Sequence, residues 1–260
     1  MKLSVSNIAW KKEFDQEMYQ FLRNKYIDLE IAPTRIFEMN PYDCLVEACA
    51  WAKELQNSGV NVVSIQSIWF NQKEHLFGTE LERQYLLEYT KKAILFSKSV
   101  GAKNLVFGCP KNRNYEDGTD ITVAVPFFRE IGDFAKEQGI VIGMEANPKI
   151  YNTNYINTTK EAIELVKQVD SEGFLLNLDV GTMIAEDEDI SVLYDHEHLI
   201  NHVHISEPGL LYVKERNLHK KLADLLKKAK YQKYISLEVQ TQDSIKSVQR
   251  MLEYMIETFD

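Results

Sequence analysis

The sequence predicts a single (β/α)8 barrel that spans residues 1–260. Three observations indicate this fold. Short apolar segments alternate with longer amphipathic ones, which is typical of parallel strands joined by helices. Eight such units follow one another without a linker or a repeat. The length is also close to the roughly 250 residues that such a barrel needs. An open doubly wound sheet is the alternative, but no glycine-rich dinucleotide fingerprint follows the first strand.

The predicted strands are short apolar runs. In chain order they cover 3–9, 27–32, 60–68, 104–108, 140–145, 174–179, 201–206 and 234–239. The predicted helices are longer, and three of them have recognisable ends: Pro41 precedes the second, and Gly101 and Gly139 end the third and fourth. They cover 14–25, 42–57, 80–100, 123–138, 159–169, 215–230 and 243–258, with at most a short helix at 190–199.

The composition excludes several classes of protein. A net charge of -9 argues against nucleic-acid binding, which needs a basic surface. No apolar run reaches the roughly 18 residues of a membrane-spanning helix, and the opening segment MKLSVSNIAWKKEFDQ lacks the features of a signal peptide. The three cysteines show no Cys-x-x-Cys spacing. We therefore expect a cytoplasmic protein with reduced thiols; the sequence leaves a homo-oligomer open.

Four consecutive predicted strands carry an ionisable residue at or near their carboxyl ends. These residues are Glu145, Asp179, His204 and Glu238, each after an apolar run. In a barrel of this kind the active site lies at those strand ends. Three carboxylates and an imidazole converging there predict a site for one divalent cation, Mn²⁺, Mg²⁺, Co²⁺ or Zn²⁺. The alternative is that each is merely a solvent-exposed residue at the end of a strand.

The segment HVHISEPG contains two histidines on one face of the seventh predicted strand, because side chains alternate along a strand. His202 should lie roughly 6.6 Å deeper in the barrel than His204. We therefore expect His204 to be the metal ligand. His202 is expected to support the site from below through a hydrogen bond.

At these residues the sequence resembles the xylose isomerase-like TIM-barrel superfamily, and within it the sugar phosphate isomerase/epimerase group. That group includes ketose 3-epimerases, hydroxypyruvate isomerase and inosose-processing enzymes. The resemblance covers essentially the whole chain and depends on the motifs GMEANP, NLDVGT, HVHISE and SLEV. It implies that Glu145, Asp179, His204 and Glu238 bind the metal ion.

The resemblance also implies that Glu145 and Glu238 transfer protons on a small sugar or sugar phosphate. A carboxylate removes a proton next to a carbonyl, and the cation stabilises the resulting enediolate. Return of a proton to the opposite face of the same carbon gives an epimer. Return to the neighbouring carbon, with exchange of the hydroxyl proton, gives an aldose–ketose isomerisation.

The sequence departs from the family pattern at two positions. Thr182 replaces a histidine that usually follows the strand-six aspartate, and Leu210 replaces an arginine that usually follows the strand-seven histidine. Glu207 keeps the pattern and is expected to support the site. The departures leave two alternatives open: an inosose-dehydratase-like lyase and a non-catalytic sugar-binding barrel. An endonuclease IV-like activity is not expected, because its trinuclear zinc site uses many more histidines.

Further substrate contacts are predicted near the other strand ends, at Glu30, Gln66, Trp69, His75, Arg113 and Asn147. Trp69 could form an apolar platform for a sugar ring, or it could pack against helices. Arg113 could hold a phosphate or carboxylate of the substrate, or it could belong to a solvated loop. For Glu30 the alternative to binding a substrate hydroxyl is an ion pair with Arg35. Asn147 begins a long loop that is a candidate lid.

Overall fold

A computed structural model describes residues 1–259, so the last residue of the predicted domain lies outside the described part. Eight parallel strands form a closed barrel in chain order. They are β1 Lys2–Ser6, β2 Asp28–Ile31, β3 Val62–Ile65, β4 Asn104–Phe107, β5 Val141–Glu145, β6 Phe174–Asp179, β7 Ile200–Ile205 and β8 Tyr234–Leu237. Pairing of β1 with β8 closes the barrel, which confirms the predicted (β/α)8 fold.

The α-helices connect these strands. They are α1 Asp15–Lys25, α2 Pro33–Ile36, α3 Leu45–Asn57, α4 Glu80–Val100, α5 Ala124–Glu137, α6 Thr159–Val169, α7 Val180–Ala185, α8 Asn217–Lys228 and α9 Ile245–Phe259. Local chemistry sets several of their ends. A capping box between Thr79 and Glu82 begins α4, and Gly101, at φ 85°, ends it in the left-handed region.

The predicted third strand and second long helix are both longer than the observed elements. The third strand ends at Ile65 because Ser67 adopts a left-handed conformation, with φ 55°, that breaks the extended backbone. The second long helix begins at Leu45, after a separate 3-10 turn at Pro41–Asp43. Both differences arise in loops above the barrel mouth, where turn geometry overrides the apolar pattern.

The barrel interior is unusually polar. Ser4, Ser64, Asn104 and Ser236 are all buried and form two hydrogen-bonded pairs between strands. The hydroxyls of Ser4 and Ser236 lie 2.5 Å apart, and the Asn104 amide donates to Ser64 at 2.9 Å. Apolar side chains on the opposite face of the strands pack beneath the helices in one continuous core. The interior therefore fixes the strand register by hydrogen bonds below the mouth.

Within residues 1–259, no helix combines the length and the apolar composition that a membrane crossing requires.

Candidate metal centre and active site

Four ionisable side chains from adjacent strands meet at the carboxyl end of the barrel. Glu145 ends β5, Asp179 ends β6, His204 lies next to last in β7, and Glu238 directly follows β8. One ligand-type atom from each lies within 4.8 Å of the others. None of the four residues is more than 9% exposed. The structure thus brings together all four residues proposed as ligands and does not leave them as solvated strand ends.

The Nδ1 atom of His204 is the most informative atom of this cluster. It lies 2.8 Å from a Glu145 oxygen and 3.1 Å from a Glu238 oxygen, yet it makes no hydrogen bond. Two ligand atoms that each lie about 2.1 Å from one cation are separated by about this distance. Three carboxylates and one imidazole are also a donor set that suits a hard or borderline divalent cation. The residues therefore fit a single metal ion.

Burial and mutual repulsion shift the pKa values of these groups. Burial raises the pKa of Glu145, Asp179 and Glu238 above the ordinary range, and the neighbouring carboxylates add to the effect. Burial by itself would lower the pKa of His204, but the carboxylates of Glu30 and Glu238 raise it well above its usual value. Such a cluster needs a positive charge, which a cation or bound protons can supply.

Two amides orient the carboxylate of Glu145. Asn147 Nδ2 donates to one oxygen at 3.1 Å, and Asn177 Nδ2 donates to the other at 2.9 Å. Gly108 lies against the same group, where a Cβ atom would be only 2.8 Å from Glu145 Oε2. Asn147 thus contacts Glu145 directly. Asn177 stands two residues before Asp179, on the same face of its strand, so strand phase places it beneath the site.

Arg113 lies behind the loop that follows β5 and carries Asn147, and it is completely buried. Its guanidinium donates to the Glu145 carbonyl at 3.0 Å, to Asn147 Oδ1 at 2.9 Å and to the Ile156 carbonyl at 3.2 Å. Burial lowers its pKa to about 10, so it remains a cation at neutral pH. Arg113 therefore neither faces a substrate anion nor belongs to a solvated loop. It holds the loop that carries Asn147.

Asp179 is fixed by its own helix and by β7. The amide and the hydroxyl of Thr182 each lie 2.8 Å from Asp179 Oδ2, at the start of α7. Ser206 donates its hydroxyl to the other carboxylate oxygen. Thr182, which stands where the family usually has a histidine, therefore supports the carboxylate. Sequence reasoning missed Ser206, although it follows His204 by two residues and shares its strand phase.

Glu30 lies beneath the cluster and is fully buried. Its carboxylate is 3.1 Å from His204 Nε2 and 3.2 Å from His202 Nε2. The prediction that Glu30 binds a substrate hydroxyl is therefore wrong, and so is the alternative ion pair with Arg35. Arg35 instead pairs with Asp15 at 2.6 Å, outside the barrel interior. His202 occupies the deeper position expected for it.

A cavity of about 180 Å³ lies above the carboxylates Glu145, Asp179 and Glu238. The rest of its wall comes from Gln66, Ser67, Val106, Gly108, Cys109, Pro110, Asn147, Tyr151 and Leu210. The Tyr151 hydroxyl accepts a hydrogen bond from the Gly209 amide at 3.0 Å, which links the loop after β5 to the loop after β7. Gln66 faces the cavity while its side-chain amide donates to Ser6. Leu210 supplies an apolar surface where the family usually has arginine.

Three other predicted site residues lie away from the cavity. Trp69 is 2% exposed, donates its indole N–H to Thr90 at 2.8 Å and packs edge-on against Phe107, so its ring provides no sugar platform. His75 is exposed in the loop before α4 and does not line the cavity. Both carboxylate oxygens of Glu207 accept from the Arg216 guanidinium, at 2.7 and 2.5 Å. Glu207 therefore braces the loop after β7.

A wider groove of about 630 Å³ runs between α1 and α3, away from these carboxylates. Within residues 1–259, the groups of side chains suited to a metal ion both lie inside the barrel instead, and they share His204. The smaller cavity at the strand ends is therefore the one that adjoins the candidate metal ligands.

Comparison with known proteins agrees with this architecture. Residues 25–258 match the sequence model of the xylose isomerase-like TIM barrel family. No curated protein matches the sequence significantly. A D-psicose 3-epimerase from Clostridium cellulolyticum H10, solved with D-tagatose, aligns over 100% of both chains with 15% identity and a TM-score of 0.81. A 3-keto-D-glucoside 4-epimerase from E. coli aligns over 99% of both chains with 19% identity and a TM-score of 0.78.

An AP endonuclease, family 2, from Brucella melitensis also aligns, over 97% of this chain and 98% of its own, with 16% identity and a TM-score of 0.76. Similarity at these identities establishes the fold, which several chemistries share. The match to the family's sequence model over residues 25–258 shows family membership, which the structural similarity alone does not. The chain belongs to the xylose isomerase-like TIM barrel family.

Proposed function

We propose that this protein is a divalent-metal-dependent epimerase or aldose–ketose isomerase of a small sugar or sugar derivative. One observation carries the proposal: Glu145, Asp179 and Glu238 line one cavity, and their ligand-type atoms and that of His204 lie within 4.8 Å of one another. The epimerases among the structural neighbours support it. The net charge of -9 disfavours a polyanionic substrate such as DNA.

The four converging residues would hold the cation through three carboxylates and the free Nδ1 of His204. The cation, when bound, would supply Lewis acidity that stabilises negative charge on the substrate oxygens. Asn147 and Asn177 keep the Glu145 carboxylate in one orientation, and Thr182 and Ser206 do the same for Asp179.

Glu145 and Glu238 are the proposed proton-transfer groups. Both line the cavity, and both lie close to the same imidazole nitrogen, at 2.8 and 3.1 Å. Burial raises the pKa of each, toward the range in which a carboxyl group exchanges protons at neutral pH. One carboxylate would remove the proton next to the carbonyl, and the other would return a proton to the opposite face or to the adjacent carbon.

The cavity also bears on substrate size. At about 180 Å³ it is smaller than the roughly 300–1,000 Å³ typical of small-molecule sites, so it suits a single sugar unit. Its polar side is formed by the carboxylates, and Val106 and Leu210 contribute apolar surface. The wall at Leu210 offers no cation for a phosphate, which favours an unphosphorylated substrate.

The proposal is tested by metal analysis followed by isotope exchange. Purified protein should contain, or be stabilised by, a divalent ion such as Mn²⁺. Incubation with a panel of ketoses in deuterated water should then place deuterium on the carbon next to the carbonyl, together with a new epimer or aldose, as detected by NMR. A lyase would instead release water and give an absorbing enone. Protein that gains no stability from Mn²⁺ and exchanges no proton would contradict the proposal.

A further inference from the structure

We infer that Glu30 is a positioning residue for the metal ligand His204, which it fixes in the tautomer that leaves Nδ1 free for the cation. This inference rests on the metal site proposed above. Glu30 lies on β2, and β2 does not pair with β7. The Glu30 side chain therefore reaches His204 across the interior of the barrel.

The tautomer follows from the two sides of the imidazole ring. Nε2 of His204 lies 3.1 Å from both carboxylate oxygens of Glu30. An ionised carboxylate only accepts hydrogen bonds, so Nε2 must carry the hydrogen. In a neutral imidazole the other nitrogen then has a free lone pair. That nitrogen, Nδ1, is the buried atom without a hydrogen bond that faces Glu145 and Glu238.

Glu30 is itself held in place from below. His202 Nε2 lies 3.2 Å from Glu30 Oε2 and 2.9 Å from the Ser236 hydroxyl. Ser236 in turn lies 2.5 Å from the Ser4 hydroxyl, so contacts run from β1 and β8 through His202 to Glu30. The parallel pairing of Ser6 and Ser64 with Glu30 places its backbone between β1 and β3. The carboxylate is therefore fixed both through its backbone and through its side chain.

Glu30 is fully buried, and burying a carboxylate is costly unless hydrogen bonds or an opposite charge offset the loss of water. Glu30 has no lysine or arginine partner among the described residues; its partners are the two histidines. A carboxylate that accepts from the outer nitrogen of a metal-binding histidine orients the ring and makes the inner nitrogen a stronger ligand. This role explains why an acidic residue is placed beneath three other acidic residues.

The competing explanation is a second metal ion between Glu30, His202 and His204, whose ligand-type atoms also lie within 4.8 Å of one another. A hydrogen bond between His204 Nε2 and Glu30 Oε2 at 3.1 Å already accounts for the first of these contacts, and His202 Nε2, 3.2 Å from the same oxygen, also bonds the Ser236 hydroxyl. We therefore expect one metal ion per chain. Stoichiometry separates the two explanations.

The test measures metal binding and needs no substrate. Glu30→Gln keeps an acceptor but removes the charge, and Glu30→Met removes both at similar size. Asp28→Asn is the matched control, because this carboxylate lies on the same strand and contacts Asn61 and Tyr234 at the other end. In calorimetric titration with Mn²⁺, we expect Glu30→Met to bind roughly 10- to 100-fold more weakly than the wild type, with Glu30→Gln between them. The control should stay within about twofold of the wild type, because it lies outside the network.

A spectroscopic readout distinguishes positioning from general damage to the fold. In ¹⁵N-histidine-labelled protein loaded with Zn²⁺, the His204 signal, assigned by its loss in His204→Gln, should show Nε2 protonated and Nδ1 metal-bound. Glu30→Met should lose that single tautomer while Asp28→Asn keeps it. Unfolding curves of the metal-free proteins identify any variant that fails to fold. If Glu30→Met fails to fold, the Mn²⁺ affinity and the His204 tautomer of Glu30→Gln test the inference.

Three results would overturn the inference. Unchanged Mn²⁺ affinity in folded Glu30→Met, or two metal ions per wild-type chain, would remove the positioning role while leaving the proposed function intact. Failure of the wild-type protein to bind any divalent ion would instead overturn the proposed function together with this inference.

Discussion

The two halves of the barrel mouth are built differently. In the half formed by β5 to β8, each strand contributes a ligand-type side chain at or next to its last residue, and all four meet within 4.8 Å. In the half formed by β1 to β4, the carboxylate of Glu30 turns inward beneath the site, and loop residues such as Cys109 and Pro110 form the cavity wall. The half formed by β5 to β8 thus contributes the candidate metal ligands, and the other half contributes wall residues and a buried carboxylate beneath them.

This difference shows that the position of a side chain can be predicted from the sequence more reliably at a strand end than in a loop. A side chain at a strand end has its direction fixed by the pleat and its height fixed by the register. A side chain in a loop has neither, so its neighbours depend on turns that the apolar pattern does not reveal. The following variants probe each half.

The largest expected effect is in the half formed by β5 to β8. Glu238→Gln or Glu145→Gln should reduce kcat on a confirmed substrate by about 10²- to 10⁴-fold, because each removes a proposed acid–base group. Steady-state kinetics with saturating Mn²⁺ measures this effect. Glu164→Gln, an exposed position on α6, is the control and should be unchanged. Full activity in Glu238→Gln would refute the two-base scheme.

Arg113 joins the two halves, and its replacement should have the next largest effect. Arg113→Met removes three hydrogen bonds from a buried cation, at a cost of roughly 3 kcal/mol in the free energy of unfolding. Urea unfolding gives this value. The control is Arg129→Met, which loses two carbonyl contacts at a more exposed place and should cost only about 1 kcal/mol. Equal losses in the two variants would mean that burial of Arg113 adds nothing.

His219 on α8, in the half formed by β5 to β8, should make the free energy of unfolding depend on pH. Burial lowers its pKa to about 4, although the nearby Glu207 carboxylate opposes the shift. The unfolded chain therefore binds a proton at higher pH than the folded one, so this contribution to stability is complete above pH ~6.5 and is lost as pH falls toward 4. The slope should approach about 1.4 kcal/mol per pH unit.

His219→Gln should remove that slope in unfolding curves recorded at several pH values. His198→Gln, at an exposed histidine, should leave it in place. The site carboxylates, whose pKa values are raised, contribute with the opposite sign, so both variants are compared with the wild type without metal. A wild-type slope that persists in His219→Gln would assign the effect to another group.

The smallest expected effect is at the link across the mouth. Tyr151→Phe removes the acceptor for the Gly209 amide and should loosen the cavity, raising KM by a few-fold, for a loss of about 0.5–1.5 kcal/mol, with little change in kcat. Tyr155→Phe on the same loop is the control, because the Tyr155 hydroxyl makes no hydrogen bond among the described residues. Burial is the main reason that the pKa of this hydroxyl is raised to about 12. An equal rise of KM in both variants would show that the link has no role.

The sequence by itself determined the barrel and the four converging strand ends, because hydrophobic periodicity and strand phase are local properties that survive into the fold. The same phase correctly separated His202 from His204. Only the tertiary structure decided the partners of Glu30, Trp69 and Arg113, since each is bound by residues distant in sequence. Positive backbone φ at Ser67, Cys109 and Ile156 bends the loops in ways that no apolar pattern encodes. The candidate metal cluster was therefore visible in the sequence, whereas the shape of the cavity was set by long-range hydrogen bonds and loop geometry.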